Sequence, residues 1–440
     1  MTENSDSKYF EKLGEVFSEN IKRLFINQMS VKSVNPFSED FLNSSQIGYL
    51  NEISQHLNYK NLLAKKFFGR AKLVEQVNLF LSSDSKFPLI IHGNSGSGKS
   101  CLTAYIATKL GFVEPKNMEN STVIFRFLGS TRQSLTIKDT LISIINQIRE
   151  IFNEKLSLED NPFKVLLNDL DNELIENLNI NELSSTLSNI LNEIYIYCPE
   201  EKFYFFIESI DHLQENDLNN LSWFFSSLTP NTKFVYSGEL RTTSLLEKFQ
   251  NKFRNPECYI ELRPESKMKS FDLLKTLLTN QNRAISIEQT QIVKSLFDKV
   301  ENFLPLHIRL ITDIVSKWKS NEKPSEEFKL CSINIESCIR YLFKRYEIIF
   351  GEKLVSRVLF YFNEFKNGIS VQELCDICTL DDDLLQSIFA KHLPLIIQFP
   401  IQIVKRFEFE IKDYLYYKIK DETNVVCWFH QSFSKVRISF

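Results

Sequence analysis

The stretch Gly93-Asn94-Ser95-Gly96-Ser97-Gly98-Lys99-Ser100 decides how this chain folds. Its form is Gly, four residues, then Gly-Lys-Ser, the pattern of a phosphate-binding loop. Upstream, Phe87-Pro88-Leu89-Ile90-Ile91-His92 is a short apolar run that reads as a buried strand. Downstream, Ser100 to Leu110 reads as a helix. Strand, glycine-rich loop and helix form the context that turns this pattern into a site. The glycines let backbone N–H groups approach a phosphate without side-chain clash, and the helix N-terminus adds a favourable dipole. Lys99 suits the β- and γ-phosphates of a nucleotide, and the Ser100 hydroxyl suits Mg2+. The octapeptide, with Cys101 beside it, is the candidate nucleotide-binding set.

Reading outward, four more apolar runs look like strands: Thr122 to Phe127, Phe203 to Ile207, Lys233 to Ser237 and Cys258 to Leu262. Helical patterns separate them; Leu141, Ile144, Ile145, Ile148, Ile151 and Phe152 make one apolar helix face. Strands alternating with helices predict an α/β fold with a doubly wound parallel sheet. After Leu262 the strands stop. Helices are predicted over Ser270 to Leu278, Ile287 to Val300 and Leu306 to Trp318, with a linker at Lys319 to Glu327. From Ile335 come further helices, then β-like stretches at Ile401 to Phe407 and Val425 to Phe429, which suggest a winged helix. The expected organisation is an N-terminal helical extension (1–60), a P-loop NTPase domain (61–262), a helical domain (263–330) and a winged-helix domain (331–440). The extension shows helical spacing at Tyr9, Leu13, Val16, Phe17 and Ile21 and no candidate chemistry.

A phosphate loop needs an acidic partner at the end of a neighbouring strand. Phe206-Ile207-Glu208-Ser209-Ile210-Asp211 supplies it. Glu208, directly after an apolar strand, is the candidate Mg2+ carboxylate, and Asp211 is the candidate that positions the attacking water. With Lys99 they form the candidate catalytic set, and Ser100 with Glu208 the candidate metal set.

Composition bounds the rest. The chain has 440 residues, 43% hydrophobic and 25% charged, as in globular proteins with a substantial core. No apolar run reaches transmembrane length and the N-terminus is polar, so no membrane role and a cytoplasmic setting are expected. Lys and Arg total 52 against 56 Asp and Glu, a net charge of −4, which argues against a nucleic-acid partner. Cys375 and Cys378 form one CxxC with no second pair, which reads as two core-facing residues on a helix rather than a metal site.

The ordered motifs resemble a NACHT-type member of the STAND class of P-loop NTPases, most of all the NACHT and WD-repeat proteins. Phe68-Gly69-Arg70 resembles the entry segment bordering the adenine. Val123 to Thr131, with Ser134 and Gln147, resembles a characteristic second-strand segment. Phe206 to Leu213 resembles the acidic motif. Leu304-Pro305-Leu306 resembles the helical-domain segment whose proline packs near the base, and Trp428-Phe429-His430 the winged-helix segment whose histidine reaches the ADP phosphate. Taken by themselves, Pro305 reads as a helix-starting proline and His430 as an ordinary core or surface histidine. The resemblance assigns Arg70, Pro305 and His430 to the nucleotide, and implies an ATP/ADP switch in which three domains close around it.

The departures are specific. Glu208 stands where the family has Asp, shifting the carboxylate by about an ångström, a displacement that can cost about a hundredfold in rate. His212 replaces a glutamine. Tyr236-Ser237-Gly238-Glu239-Leu240-Arg241 lacks an arginine directly after the strand, leaving Arg241 as the nearest substitute. Hydrolysis is therefore expected to be slow. Relatives of this type carry a long repeat array; no period of 20–50 residues occurs here, so a sensor or effector in another chain is the expected partner, with nucleotide-dependent oligomerisation as a further expectation. Two other readings remain. One is a DNA-associated AAA+ ATPase of origin-recognition type, although acidic residues interleave the basic ones of residues 401–440. The other is a nucleotide-binding interaction module without hydrolysis.

Overall fold

The computed structural model describes residues 44–112, 121–155, 172–225, 229–240, 245–365, 368–389, 398–420 and 423–436. The reading of residues 1–43, the acidic stretch 156–171 and Arg241 lies outside the described residues. The chain divides into two compact units, Met1–Leu262 and Arg263–Phe440.

In the first unit, helices α1 (Ser44–Lys65) and α2 (Ala71–Ser82) precede strand β1 (Leu89–His92). There follow α3 (Lys99–Phe112), β2 (Ser121–Phe127), α4 (Ile137–Lys155), α5 (Asn172–Asn177), α6 (Ile180–Tyr197) and β3 (Lys202–Glu208). Last come α7 (Glu215–Asn219), β4 (Thr232–Gly238), α8 (Leu245–Lys252) and β5 (Tyr259–Glu261). The five strands form one sheet in the order β2-β3-β4-β1-β5, and every pairing is parallel.

The continuous apolar run of β3 requires cover on both faces, as a central parallel strand does. Side chains alternate between those faces. Phe203, Phe205 and Ile207 join Phe234 and Tyr236 in a core completed by Leu141, Ile148 and Phe152 of α4 and Leu187 and Ile194 of α6. Phe125 and Phe206, one step out of phase, stack with ring centroids 5.6 Å apart. Tyr59 of α1 meets Phe127 edge-on at 4.6 Å. Parallel register brings the C-terminal strand ends to one edge, where open α/β sheets bind ligands. His92, the last residue of β1, pairs with Gly238 on one side and Glu261 on the other. The loop that begins at Gly93 therefore opens beside the end of β4.

Strands do not stop at Leu262 as expected: the second unit opens with Glu265–Ser266, paired antiparallel with Asn302–Phe303. Its first helices are α9 (Lys267–Asn280), α10 (Ile287–Phe297) and α11 (Pro305–Ser316). It continues with α12 (Ile335–Phe350), α13 (Glu352–Glu364), α14 (Val371–Thr379), α15 (Asp382–Ile388) and α16 (Ile401–Ile411). An antiparallel hairpin of β6 (Leu415–Lys420) and β7 (Thr423–Trp428) follows, then the short α17 (Ser432–Lys435). One apolar cluster runs through this unit, from Leu274 to Val436. The stretch Lys319 to Glu327, expected as a linker, is tied down by Gln289, whose Nε2 donates to the carbonyls of Lys319 (2.8 Å) and Glu322 (3.0 Å). Cys375 and Cys378 lie on α14, both buried in that cluster.

A second expectation is corrected. Ile401 to Phe407, read as β-like, is the first part of helix α16. Its apolar residues satisfy both periods, since Ile401, Ile403, Phe407, Phe409 and Ile411 also alternate. Burial shows which period holds: Val404, Phe407 and Ile411 are buried, while Phe409 stays 63% exposed. The hairpin partner of β7 is β6 instead. Among the described residues, no helix is long and apolar enough to cross a membrane.

Candidate functional site

Gly96 and Gly98 take left-handed backbone angles, with φ of 79° and 88°, which a side chain would oppose. At Gly93 the constraint is space: a Cβ there would lie 2.6 Å from the carbonyl oxygen of Leu262 and 3.0 Å from Ser97 Oγ. Within the loop, Ser97 N donates to Asn94 O at 3.1 Å, and Leu102 N to Gly98 O at 3.0 Å begins the helical ladder of α3. The Lys99 ammonium folds back, donating to the carbonyls of Gly93 (2.8 Å) and Asn94 (3.1 Å). Burial pushes the Lys99 pKa down, and the carboxylates of Asp211, Glu208 and Glu239 act against that. Ser95 and Cys101 are half-buried, and Asn94 is exposed.

Glu208 ends β3 opposite Phe127 of β2 and is 0% exposed. Neither of its carboxylate oxygens has a hydrogen-bond partner among the described residues. Burial raises its pKa. The Ser237, Thr103 and Ser100 hydroxyls and the Lys99 charge draw it partly back, though no hydroxyl closes a hydrogen bond to it. A buried carboxylate with no closed hydrogen bond among the described residues is costly, and a bound cation would compensate it. These two orphaned oxygens, close to Ser100 on the first turn of α3, fit a hydrated Mg2+ ion.

The chain turns sharply after Glu208: Ser209 adopts φ 62°, and Ile210–His212 forms a single 3-10 turn. That turn brings Asp211 back toward the sheet edge, where Oδ1 accepts the Glu239 amide at 2.9 Å. Glu208, Asp211, Lys99 and Ser100 are thus brought together. Arg70 joins them from the segment before α2, donating through Nη1 to Ser97 O at 2.7 Å.

Pro305 and His430 belong to the second unit. Pro305 occupies the first turn of α11, where its missing N–H costs nothing. His430 follows β7, and its Nδ1 accepts the Ser432 amide at 3.1 Å. The neutral ring therefore carries its proton on Nε2.

A buried polar cluster under β2 was not anticipated. Arg126 Nη2 donates to Gln147 Oε1 (2.7 Å) and Ser143 Oγ (3.0 Å). Ser143 Oγ donates to Glu52 Oε2 of α1 at 2.9 Å. His56, one turn further along α1, accepts the Phe127 amide on Nδ1 at 3.2 Å. Thr131 and Ser134 close the cluster, their hydroxyls 2.8 Å apart. The resemblance singled out Ser134 and Gln147. The available signal for their partners was an arginine inside an apolar strand and a Glu and His spaced i, i+4.

The Nephrocystin 3, N-terminal family model matches residues 74–238, which include the phosphate loop and reach the end of β4. Human NACHT and WD repeat domain-containing protein 2 is 27% identical over 390 residues, 87% of this chain and 20% of the relative. Human NACHT domain- and WD repeat-containing protein 1 is 24% identical over 349 residues, 78% of this chain and 21% of the relative. The chain thus spans about a fifth of the length of these curated relatives. Among solved structures, the Walker-type ATPase paby2304 of Pyrococcus abyssi aligns at TM-score 0.39 and 13% identity, covering 84% of this chain and 95% of that one. From its loop, its parallel sheet and its sequence relatives, the chain carries a P-loop NTPase fold and is similar to the NACHT and WD repeat domain-containing proteins.

Proposed function

We propose that this chain binds ATP or ADP with Mg2+ and works as a nucleotide-dependent switch or scaffold with slow hydrolysis. The observation that carries the reading is Glu208: a fully buried carboxylate, with no hydrogen bond closed to it among the described residues, beside the loop that ends in Lys99 and Ser100. Ser100 and Glu208 would hold the ion, which when bound neutralises phosphate charge. Gly93 to Gly98 and Cys101 would line the phosphates, Lys99 would turn from its loop carbonyls toward them, and Arg70 would stabilise the loop around Ser97.

Slow turnover follows from the acidic groups. Glu208 is longer than aspartate, and Asp211 already spends Oδ1 on the Glu239 amide, which restricts it as a base for water. The helical (263–330) and winged-helix (331–440) assignments belong to the proposal, as do nucleotide contacts from Pro305 and His430. So do a protein partner in another chain, nucleotide-dependent oligomerisation and a cytoplasmic setting.

The test is to identify the nucleotide that copurifies with the chain, then compare turnover with Lys99→Ala. Loss of both nucleotide and turnover in the variant is expected; equal turnover would discard the site. A bound nucleotide that no preparation hydrolyses would move the reading to a binding module. His430→Leu should speed ADP release, and an unchanged off-rate removes His430 from the site.

A further inference from the structure

Helix α16 buries one face and turns the other to solvent. Val404, Phe407 and Ile411 belong to the apolar cluster of the second unit. Gln402, Lys405, Arg406, Phe409 and Lys412, the residue that follows the helix, are exposed. Steps of three and four residues place these five on one outward stripe with Phe409 at its centre. Glu408 and Glu410 fall about 100° to either side of Phe409, off the stripe. Each is engaged on its own flank. Tyr417 of β6 donates its hydroxyl to Glu408 Oε1 at 2.6 Å, and Glu410 Oε2 lies 3.9 Å from Lys317 Nζ. Charges that interleave along the sequence are thus segregated on the surface.

The cations of the stripe are turned onto rings. Lys412 Nζ lies 3.9 Å from the centre of the Phe409 ring, and the Arg406 guanidinium carbon 5.5 Å from that of Phe350. Among the described residues, Lys405, Arg406 and Lys412 form no ion pair with a carboxylate. Phe350, half-buried at the end of α12, meets Phe407 edge-on at 5.3 Å, and its neighbour in the chain, Ile349, is exposed. A single exposed phenylalanine is ordinary. Here the ring is bracketed by three cations, and Arg406 links the stripe to a second ring. Aromatic anchors within a rim of Arg and Lys are the anatomy of a protein-docking surface. Duplex nucleic acid is gripped instead through many phosphates at once, which three cations with rings between them match poorly. Carboxylates set around an apolar side chain complement both the charge and the rings.

We propose that the outer face of α16 docks an acidic amphipathic helix of another protein. Its apolar side chain would rest on Phe409, and its Asp or Glu residues would face Lys405, Arg406 and Lys412. Such docking gives a surface to the partner proposed above and needs no nucleotide.

The experiment uses the full chain and a fluorescein-labelled helical peptide of Leu, Ala and Glu, about 18 residues long, with Leu on one stripe and Glu along its borders. Anisotropy should show saturable binding whose dissociation constant rises about tenfold between about 0.05 and 0.3 M NaCl. Phe409→Ala should weaken binding about tenfold. Lys405→Glu with Arg406→Glu should do the same and flatten the salt dependence. These side chains are exposed, so the variants should keep the native unfolding midpoint. Lys294→Glu with Lys299→Glu, the same charge change at exposed positions elsewhere on this unit, should leave binding unchanged. No saturable binding, or equal binding by the native chain and the α16 variants, overturns the proposal. So does equal weakening by the Lys294/Lys299 pair. A DNA duplex of about 20 base pairs that binds as tightly, and is lost in the same α16 variants, would assign the face to nucleic acid instead. Sedimentation showing that the native chain self-associates and the α16 variants do not would assign it to a second copy. Either of these last results overturns the proposal and leaves the nucleotide site standing.

Discussion

Arg70 Nη1 donates to the carbonyl oxygen of Ser97 at 2.7 Å, so a residue ahead of α2 holds the crown of the phosphate loop. Arg70 itself sits at φ 58°, an angle uncommon for a residue with a Cβ. A strained residue at the lip of a loop is held there by what it contacts. Arg70→Ala should weaken ADP binding about tenfold, ~1.4 kcal/mol, by loosening the loop. Arg70→Lys should recover part of that, since an ammonium can make one such bond without the guanidinium's fork. Calorimetric dissociation constants for the three proteins check the order.

Two glycines near the loop give contrasting tests. Gly93→Ala would put a methyl group 2.6 Å from a backbone oxygen, that of Leu262, which has little room to move. A loss of about 1–3 kcal/mol is expected, with nucleotide binding impaired. At Gly69 an added Cβ meets nothing within 4 Å, but φ is 70°. Gly69→Ala should cost only about 1–2 kcal/mol of backbone strain. Denaturant titrations check both losses, and nucleotide binding should weaken only in Gly93→Ala.

Arg126 is the centre of a cluster that joins α1 to the sheet. Removing its charge strands Glu52, 2% exposed and linked to it through Ser143. Breaking a buried ionic network on one side costs about 3–5 kcal/mol, more than loss of apolar packing alone. Arg126→Met should therefore destabilise the chain by about that much, and Arg126→Met with Glu52→Leu by less. The pair is read by a double-mutant cycle on chemical unfolding; an additive result would show that the two groups are not coupled.

The contrast between that cluster and the loop shows what a sequence exposes. Gly93 to Ser100 is contiguous, and its flanks have unambiguous periods, so strand, loop and helix were all legible. The run from Phe203 to Ile207 was legible for the same reason: only a strand covered on both faces is apolar at every position. Asp211 was read as a site residue, but its bond to Glu239 was not, because 28 residues separate the two. Glu52 and His56 escaped for a stronger form of that reason. They lie 91 and 71 residues from Ser143 and Phe127, their partners, and on α1 alone they look like a solvated pair. Ile401 to Phe407 failed differently, since its apolar residues satisfy periods of two and of 3.6, and only packing chooses between them.

His56 gives the cluster a pH dependence with a definite sign. Burial, the largest cause, lowers its pKa, and Arg126 adds to that, while Glu52 opposes both. The neutral ring is also fixed in one tautomer, because Nδ1 must accept the Phe127 amide. In the unfolded chain His56 takes up a proton near pH 6.5, and in the folded chain only at lower pH. Between those values the unfolded state binds more protons, so stability falls as pH falls. Glu208 works in the other direction. Its raised pKa means that the folded state holds its proton to higher pH, so acidification from neutrality toward pH 4.5 adds stability. His56→Gln keeps an acceptor for Phe127 N and cannot be protonated. Unfolding free energies measured from pH 7 down to pH 5 should drop less steeply for His56→Gln than for the native chain. In the variant the remaining slope should bend toward stabilisation as Glu208 takes up its proton, and Glu208→Gln should remove that bend. Parallel curves for the native chain and His56→Gln would mean that the α1 cluster does not sense pH in this range.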